Sequence, residues 1–106
     1  MVRVTLRLRV KSGREGEFEE AWRGVARFVE ATDGSLGQAL LRDRDDPQTY
    51  VITSDWSSEA TFREFERSEV QDVATAPLRE LRLSSRMSVE DLVARVGRDQ
   101  SQGVPA

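Results

Sequence analysis

The N-terminal segment carries the pattern that most constrains the fold. Apolar residues occupy every second position from Val2 to Val10, and the positions between them hold Arg3, Thr5, Arg7 and Arg9. A period of two over this length predicts a β-strand with one apolar face and one polar face. We therefore expect a sheet whose two sides meet different surroundings.

A helix and a hairpin follow this strand. Residues Glu15 to Ala31 repeat apolar side chains at helical spacing, which predicts a helix with one buried stripe. Leu36 to Asp43 and Thr49 to Trp56 predict two paired strands, and alternation places Ala39 and Leu41 on the apolar side of the first. The charged segment between these strands contains a proline and is typical of a turn.

The C-terminal half repeats the pattern of helix and strand. Ser57 or Ser58 can cap a helical region that the Ala76-Pro77 pair is expected to end, and its apolar stripe holds Phe62, Phe65, Val70 and Val73. Glu80 to Met87 predicts a fourth strand, with Leu83 on its apolar side. The run from Ser88 to Asp91 resembles a capping box and predicts a short helix that ends at Val96.

The predicted order is therefore β-α-β-β-α-β plus a C-terminal helix. This order indicates the α+β, ferredoxin-like split βαβ fold, in which two helices cover one face of a four-stranded antiparallel sheet. A chain of 106 residues is the size of one domain. We assign residues 1–97 to that domain and expect the small polar residues 98–106 to form a flexible tail.

Composition excludes several classes of function. The chain has no cysteine and no histidine, so it has no disulfide, no thiolate or imidazole metal ligand and no Ser-His-Asp triad. Its net charge of −3 argues against nucleic acid as a partner. No apolar run is long enough to span a membrane, and no signal-peptide core opens the chain, so the expected location is the cytoplasm.

The sheet face without helices is predicted to be rich in arginine. By alternation it carries six arginines and one aspartate: Arg3, Thr5, Arg7, Arg9, Gln38, Leu40, Arg42, Val51, Thr53, Asp55, Arg82, Ser84 and Arg86. Three interpretations stay open, namely a solvated face, a dimer interface whose acids come from the partner, and a site for an anionic ligand.

Three segments together resemble the antibiotic biosynthesis monooxygenase family. They are VRVTLRLRVKSGREGEF (Val2 to Phe18), LLRDRDDPQTYV (Leu40 to Val51) and DWSSEATFREFERS (Asp55 to Ser68), and the resemblance extends over about residues 2–92. It implies a ferredoxin-like chain that pairs sheet to sheet in a dimeric α+β barrel. It also implies, for several members, oxidation of aromatic polyketides such as anthrones to quinones with dioxygen and without any cofactor.

The sequence matches the family at one functional position and departs from it at others. Trp56 matches a tryptophan of the polyketide-oxidising members. The asparagine that often precedes it by four positions is Ile52 here, and a tyrosine six positions after it is Phe62. The haem-degrading members use a histidine and an asparagine, and this sequence contains neither residue type.

Candidate catalytic residues are Trp56 and Tyr50. Trp56 ends a strand on the apolar face, where it forms either a pocket wall for a planar substrate or a part of the core. Tyr50 is the one tyrosine; its hydroxyl either donates to a developing oxyanion or reaches solvent at the strand edge.

The predicted substrate-binding residues surround these two. Ser54 and Ser85 are hydroxyls on an otherwise apolar face, where they either line a cavity or bond to nearby carbonyl groups. The apolar part of the lining is Trp22, Phe62, Phe65 and Met87. No spacing of acids predicts a metal site.

Two classes of function remain. The first is a cofactor-independent monooxygenase that acts as a homodimer on a small aromatic hydrophobic ligand. The alternative is a non-catalytic dimer that binds such a ligand or serves as an accessory protein, or a polyketide cyclase of the same fold. An apolar pocket beneath Trp56, with Ser54 and Ser85 facing it, would favour the enzyme.

Overall fold

The computed structural model describes residues 1–97, and the predicted tail at 98–106 lies outside this range. In chain order the elements are β1 (Val2–Val10), α1 (Glu15–Glu30), β2 (Ser35–Arg42), β3 (Thr49–Trp56), α2 (Glu59–Glu66), α3 (Glu69–Leu81) and β4 (Arg82–Asp91). The strands form one antiparallel sheet in the order β2-β3-β1-β4, and the helices cover one of its faces. The ferredoxin-like α+β prediction is confirmed.

The alternating strand β1 lies in the middle of the sheet. Leu6 is paired with Ile52 of β3 on one side and with Met87 of β4 on the other. Because directly paired residues point to the same face, the even-numbered side chains of β1 lie under the helices. Val4, Leu8 and Val10 are accordingly buried, as are Phe18 and Val25 of α1.

The predicted faces of β2 are wrong. Leu40 packs against the core, whereas Leu41 is 50% exposed on the open face. The register shifts between Ser35 and Gly37, and Gln38 is then paired with Ser54, so that the even-numbered residues of β2 join the helix-covered face. An irregularity of one residue exchanges the two faces of a strand, because side chains alternate with a period of two.

The second helical region consists of two helices, and Pro77 lies inside the second one. Ser58 caps α2 by accepting the Thr61 N–H at 3.2 Å, and Ser68 caps α3 in the same way. The prediction that Ala76-Pro77 ends the helix is wrong because buried Leu78 and Leu81 anchor one further turn.

The prediction that two valines of α3 lie in the core is also wrong. Val70 is 61% exposed and Val73 is 75% exposed. Pro77 has no N–H to donate to the Val73 carbonyl group four positions earlier, and Val73 lies on the exposed side of the helix.

Strand β4 continues to Asp91, and the predicted helix from Ser88 to Val96 is absent from the described residues. Val89 is paired with Val4 and packs against the core, and this pairing outweighs the local capping pattern. At the other end of β4 the register shifts between Arg9 and Val10, and Val10 is paired with Arg82. The shift places Arg82 on the helix-covered side and leaves Leu83 59% exposed.

On the open face of the sheet, acids of the same chain bind several of the arginines. Arg3 Nε is 2.7 Å from Asp55 Oδ1, and Arg9 Nη1 is 2.7 Å from Asp46 Oδ2. Arg7 Nη2 lies 3.6 Å from Asp43 Oδ2. Acids of the same chain therefore bind Arg3, Arg7 and Arg9, and the prediction that Gln38, Leu40, Arg42 and Arg82 lie on this face is wrong.

None of the helices in residues 1–97 is both long and apolar enough to cross a membrane.

Candidate functional site

A cavity of about 290 Å³ lies between the helix-covered face of the sheet and the helices. Its floor is apolar and consists of side chains from three strands: Val4, Leu6, Leu8, Ile52 and Met87. Met87, on the edge strand β4, is 41% exposed. The sheet supplies this floor because β1, β3 and β4 each turn alternate residues toward the helices.

Aromatic side chains form one wall of the cavity. The Trp56 ring lies 5.1 Å from the Phe65 ring and 5.7 Å from the Phe62 ring, both in tilted arrangements. Trp22 of α1 lines the cavity as well and is only partly buried. Trp56 itself is 1% exposed, so its indole is packed among its neighbours and presents almost no surface to the cavity.

The indole nitrogen of Trp56 is bound within the chain. Trp56 Nε1 donates to Ser54 Oγ at 3.0 Å, and Ser54 is a half-buried residue that lines the cavity. Gln38, paired with Ser54 across β2 and β3, also lines it and donates from Nε2 to the Ala26 carbonyl of α1 at 2.6 Å. These contacts fix two polar groups in an otherwise apolar part of the lining.

A second polar group of residues lies on α3 and at the start of β4. Gln71, Thr75 and Arg79 follow one another at a spacing of four and line the cavity together with Arg82. Arg79 Nη1 donates to Thr75 Oγ1 at 2.5 Å and Nη2 donates to the Asp72 carbonyl at 2.7 Å. Within residues 1–97 Arg82 has no ion pair, so its guanidinium is available to an anionic ligand.

Tyr50 does not line this cavity. It is 1% exposed, and its hydroxyl donates to Glu19 Oε2 of α1 at 2.6 Å. Burial, and secondly the bond to Glu19, raise the pKa of the Tyr50 phenol to about 12. Arg42 Nη1 lies 3.6 Å from the same carboxylate. The phenol is therefore neutral at ordinary pH, and its proton already has an acceptor.

The structure brings most, but not all, of the predicted site residues together. The cavity lining includes Trp22, Ser54, Trp56, Phe62, Phe65 and Met87. Ser85 is exposed and lies instead at a shallow depression beside Arg7 and Arg86, so Ser54 and Ser85 do not face one cavity. Ser85 lies on β4, which is an edge strand of the sheet.

Sequence reasoning missed Gln38, Arg82 and the polar residues of α3. The first two were assigned to the opposite face, and both errors come from register shifts in the strands. The spacing of Gln71, Thr75 and Arg79 was visible as a helical period, but polar residues at that spacing are typical of a solvated face.

Residues 1–97 contain no group of three or more acidic side chains that could hold a metal ion.

Comparisons with known proteins place this site in a family. The family model described as antibiotic biosynthesis monooxygenase matches residues 1–76. The chain is 31% identical over 77 residues to the 42.8 kDa protein in the whiE locus of Streptomyces coelicolor and 30% identical over 77 residues to Protein SchA of Streptomyces halstedii. Both matches cover 73% of this chain, which spans about a fifth of either relative, 19% and 20% respectively.

Solved structures show the same likeness. The cofactor-independent oxygenase SnoaB from Streptomyces nogalater superposes with a TM-score of 0.77 at 27% identity, over 91% of this chain and 94% of that one. An asparagine-to-alanine variant of SnoaB superposes with a TM-score of 0.82 at 25% identity, over 92% of this chain and 97% of that one. The matched residues include β1, β3 and α2, which supply most of the floor and most of the aromatic wall of the cavity. This chain belongs to the antibiotic biosynthesis monooxygenase family.

Proposed function

We propose that this chain is a cofactor-independent monooxygenase that oxidises a small planar aromatic ketone of polyketide type with dioxygen. The observation that carries the proposal is the cavity of about 290 Å³, with its apolar floor, aromatic wall and few fixed polar groups. Membership of the family and the likeness to SnoaB support the reaction type. Typical ligand pockets enclose roughly 300–1,000 Å³, so this cavity suits a compact ligand of few rings.

The proposed reaction needs no electron donor besides the substrate. An anthrone loses a proton to solvent from the carbon between its rings, and the electron pair delocalises onto the carbonyl oxygen. This anion passes one electron to dioxygen, and the two radicals combine to form a carbon–oxygen bond. The resulting peroxide takes up a proton and loses water, which leaves a quinone. One oxygen atom enters the product and the other enters water.

The cavity favours such a reaction in two ways. Its apolar floor limits the contact of the aromatic rings with water, and polar groups that are already oriented stabilise charge more strongly there than they would in water. Arg82, which lines the cavity, can attract a substrate that carries a phenolate or a carboxylate.

We further propose that the chain acts as a homodimer through the open sheet face. Leu41 is 50% exposed there, and Arg86 is paired directly with Arg7; Asp43 of the same chain lies near Arg7, and a partner could supply an acid to Arg86. Light scattering at low and high salt tests this proposal: we expect a dimer, and a monomer at both salt concentrations would contradict it.

A second candidate function is non-catalytic binding, or cyclisation, of the same class of ligand. It is favoured by Ile52, an apolar residue on the cavity floor where related oxygenases often carry an asparagine.

Oxygen uptake with dithranol, a dihydroxyanthrone, in buffer with a metal chelator separates these functions. We compare wild type with Ile52→Trp, which fills the cavity, and with Val73→Trp, a matched change at a position that is 75% exposed. Uptake that is lost in the first variant and kept in the second supports the oxygenase. Quenching of tryptophan fluorescence without oxygen uptake favours the binding protein or cyclase. If the protein shows no oxygen uptake and no quenching, both functions are contradicted.

A further inference from the structure

We propose that the Ser54 hydroxyl donates the hydrogen bond that holds the anionic oxygen of the substrate, and that Trp56 acts through Ser54 as a positioning residue. This inference deepens the proposed function and rests on it for the identity of the ligand, an enolised aromatic ketone. It assigns the polar role in the cavity to a residue two positions before the tryptophan.

The first argument is the hydrogen bonding of the hydroxyl group. A serine hydroxyl has one proton to donate and two lone pairs to accept with. Ser54 Oγ accepts the Trp56 indole N–H at 3.0 Å, and within residues 1–97 it donates to no side chain or carbonyl. Its own proton is therefore free to bind a ligand, while the indole N–H fixes the orientation of the oxygen.

The second argument is exposure. Trp56 is 1% exposed, and its one polar atom already has a partner, so the indole has neither the surface nor the free donor that direct contact requires. Ser54 is half-buried and lines the cavity. The polar group that a ligand meets is thus the serine hydroxyl.

The third argument is the setting of Ser54 on the floor. Its partner on β1 is Val4 and its partner on β2 is Gln38, while Ile52 precedes it on the same face of β3. Gln38 is fixed to the Ala26 carbonyl at 2.6 Å, which keeps a second polar group beside the serine. An oxygen substituent of a planar ligand has few other hydrogen-bonding partners in this part of the cavity.

The chemistry follows from this chain of donors. When the bound ketone loses its proton to solvent, the electron pair moves to the carbonyl oxygen, which becomes a strong acceptor. A hydrogen bond from indole N–H to Oγ polarises the O–H bond, so that the serine donates more strongly to the anion than an isolated hydroxyl would. Donors oriented in advance toward a developing negative charge are among the largest contributions to catalysis.

The test is a spectrophotometric titration of bound dithranol without oxygen, where the anion forms but is not oxidised. We expect Ser54→Ala to raise the pKa of the bound ligand by about one unit, a tenfold lower acid dissociation constant, because a hydrogen bond to a charged acceptor is lost. Ser54→Thr, which keeps the hydroxyl, is expected to restore the wild-type value. Ser84→Ala, the same change on the open sheet face, serves as the control.

Trp56→Phe separates a positioning role from a packing role. It removes the indole N–H and keeps an aromatic ring, so we expect a smaller rise of the ligand pKa in the same direction. In the Ser54→Ala background it is expected to add nothing further, since the indole acts through the serine. Additive effects of the two changes would overturn the positioning role.

The outcomes for this inference and for the proposed function are distinct. If both proteins bind dithranol, and the pKa of the bound ligand is the same in wild type and in Ser54→Ala, the inference is wrong and the proposed function stands. If dithranol does not bind wild type, the proposed function and the inference both fall. Unfolding temperatures of the variants show that each comparison is made between folded proteins.

Discussion

The raised pKa of the Tyr50 phenol should make the stability of the fold depend on pH in alkaline solution. The ring is 1% exposed, and the hydroxyl donates to Glu19 Oε2 at 2.6 Å. Burial disfavours the phenolate, and a neighbouring carboxylate repels it, so both effects favour the protonated form. They raise the phenol pKa from 10.0 to about 12, against a smaller opposing effect of Arg42.

The magnitude follows from linkage. The rise of the phenol pKa from 10.0 to about 12 corresponds to roughly 3 kcal/mol. The folded pKa lies above the unfolded one, so this stabilisation is fully present below pH 10 and is lost as the pH rises from 10 to about 12. The free energy of unfolding of wild type should fall through that window by more than that of Tyr50→Phe.

The assay is direct because the chain contains one tyrosine. Phenolate absorbance in the near ultraviolet reports Tyr50 alone, in the folded protein and in denaturant. We expect Glu19→Gln to lower the folded midpoint while burial keeps it above 10, and Arg42→Gln to raise it. A folded midpoint equal to the denatured one, or shifts of the same sign in both variants, would refute this reasoning.

Three further predictions concern stability and selectivity. Gly34 has a φ of +90°, and a Cβ there would lie 2.8 Å from a side chain of α2. Gly34→Ala should therefore destabilise the fold by at least about 1–2 kcal/mol in chemical denaturation. The control Gly24→Ala, in open space on α1, should stabilise the fold. Asp55 accepts two hydrogen bonds from Arg3, which lower the pKa of its carboxyl group. Asp55→Asn should therefore lower the free energy of unfolding by about 1–2 kcal/mol above pH 4, and the variant should lose less stability than wild type as the pH falls below 4. The same dependence of unfolding free energy on acid pH in both proteins would contradict this. Arg82→Gln should weaken binding of an anthracene carboxylate about tenfold and leave binding of the matching neutral alcohol unchanged. Fluorescence quenching measures both affinities, and an equal loss of affinity for the two ligands would contradict an anion site at Arg82.

Much of the fold could be predicted because local patterns and tertiary packing agree. Strand β1 alternates without interruption, and the structure gives it the same bounds, Val2–Val10. The bounds of β3 were equally clear from β-branched and aromatic residues. In both strands the side that is apolar in sequence is the side that the helices cover.

The errors arose where a long-range contact outweighs a local signal. Ser88 to Asp91 resembles a helix start, but the pairing of Val89 with Val4 extends the sheet instead. Pro77 is tolerated inside α3 because Leu78 and Leu81 are buried after it. Neither contact can be read from a short window of sequence.

The candidate site was predicted less completely than the fold. The aromatic wall was predicted from spacing, and Ser54 was found because a hydroxyl on an apolar face needs a partner. Gln38 and Arg82 were assigned to the wrong face, because a register shift beside each of them reverses strand alternation. Such shifts depend on strand pairing, which a single sequence does not display.

Oxidation of dithranol by the wild-type chain under isotopically labelled dioxygen, with a metal chelator present, distinguishes an oxygenase from a binding protein. We expect one labelled oxygen atom in each quinone and one dioxygen consumed per quinone formed. We also expect Ile52→Trp to abolish the excess over the spontaneous rate. Label that enters at the spontaneous rate alone, or an Ile52→Trp variant that folds and turns over like wild type, would contradict the proposed oxygenase.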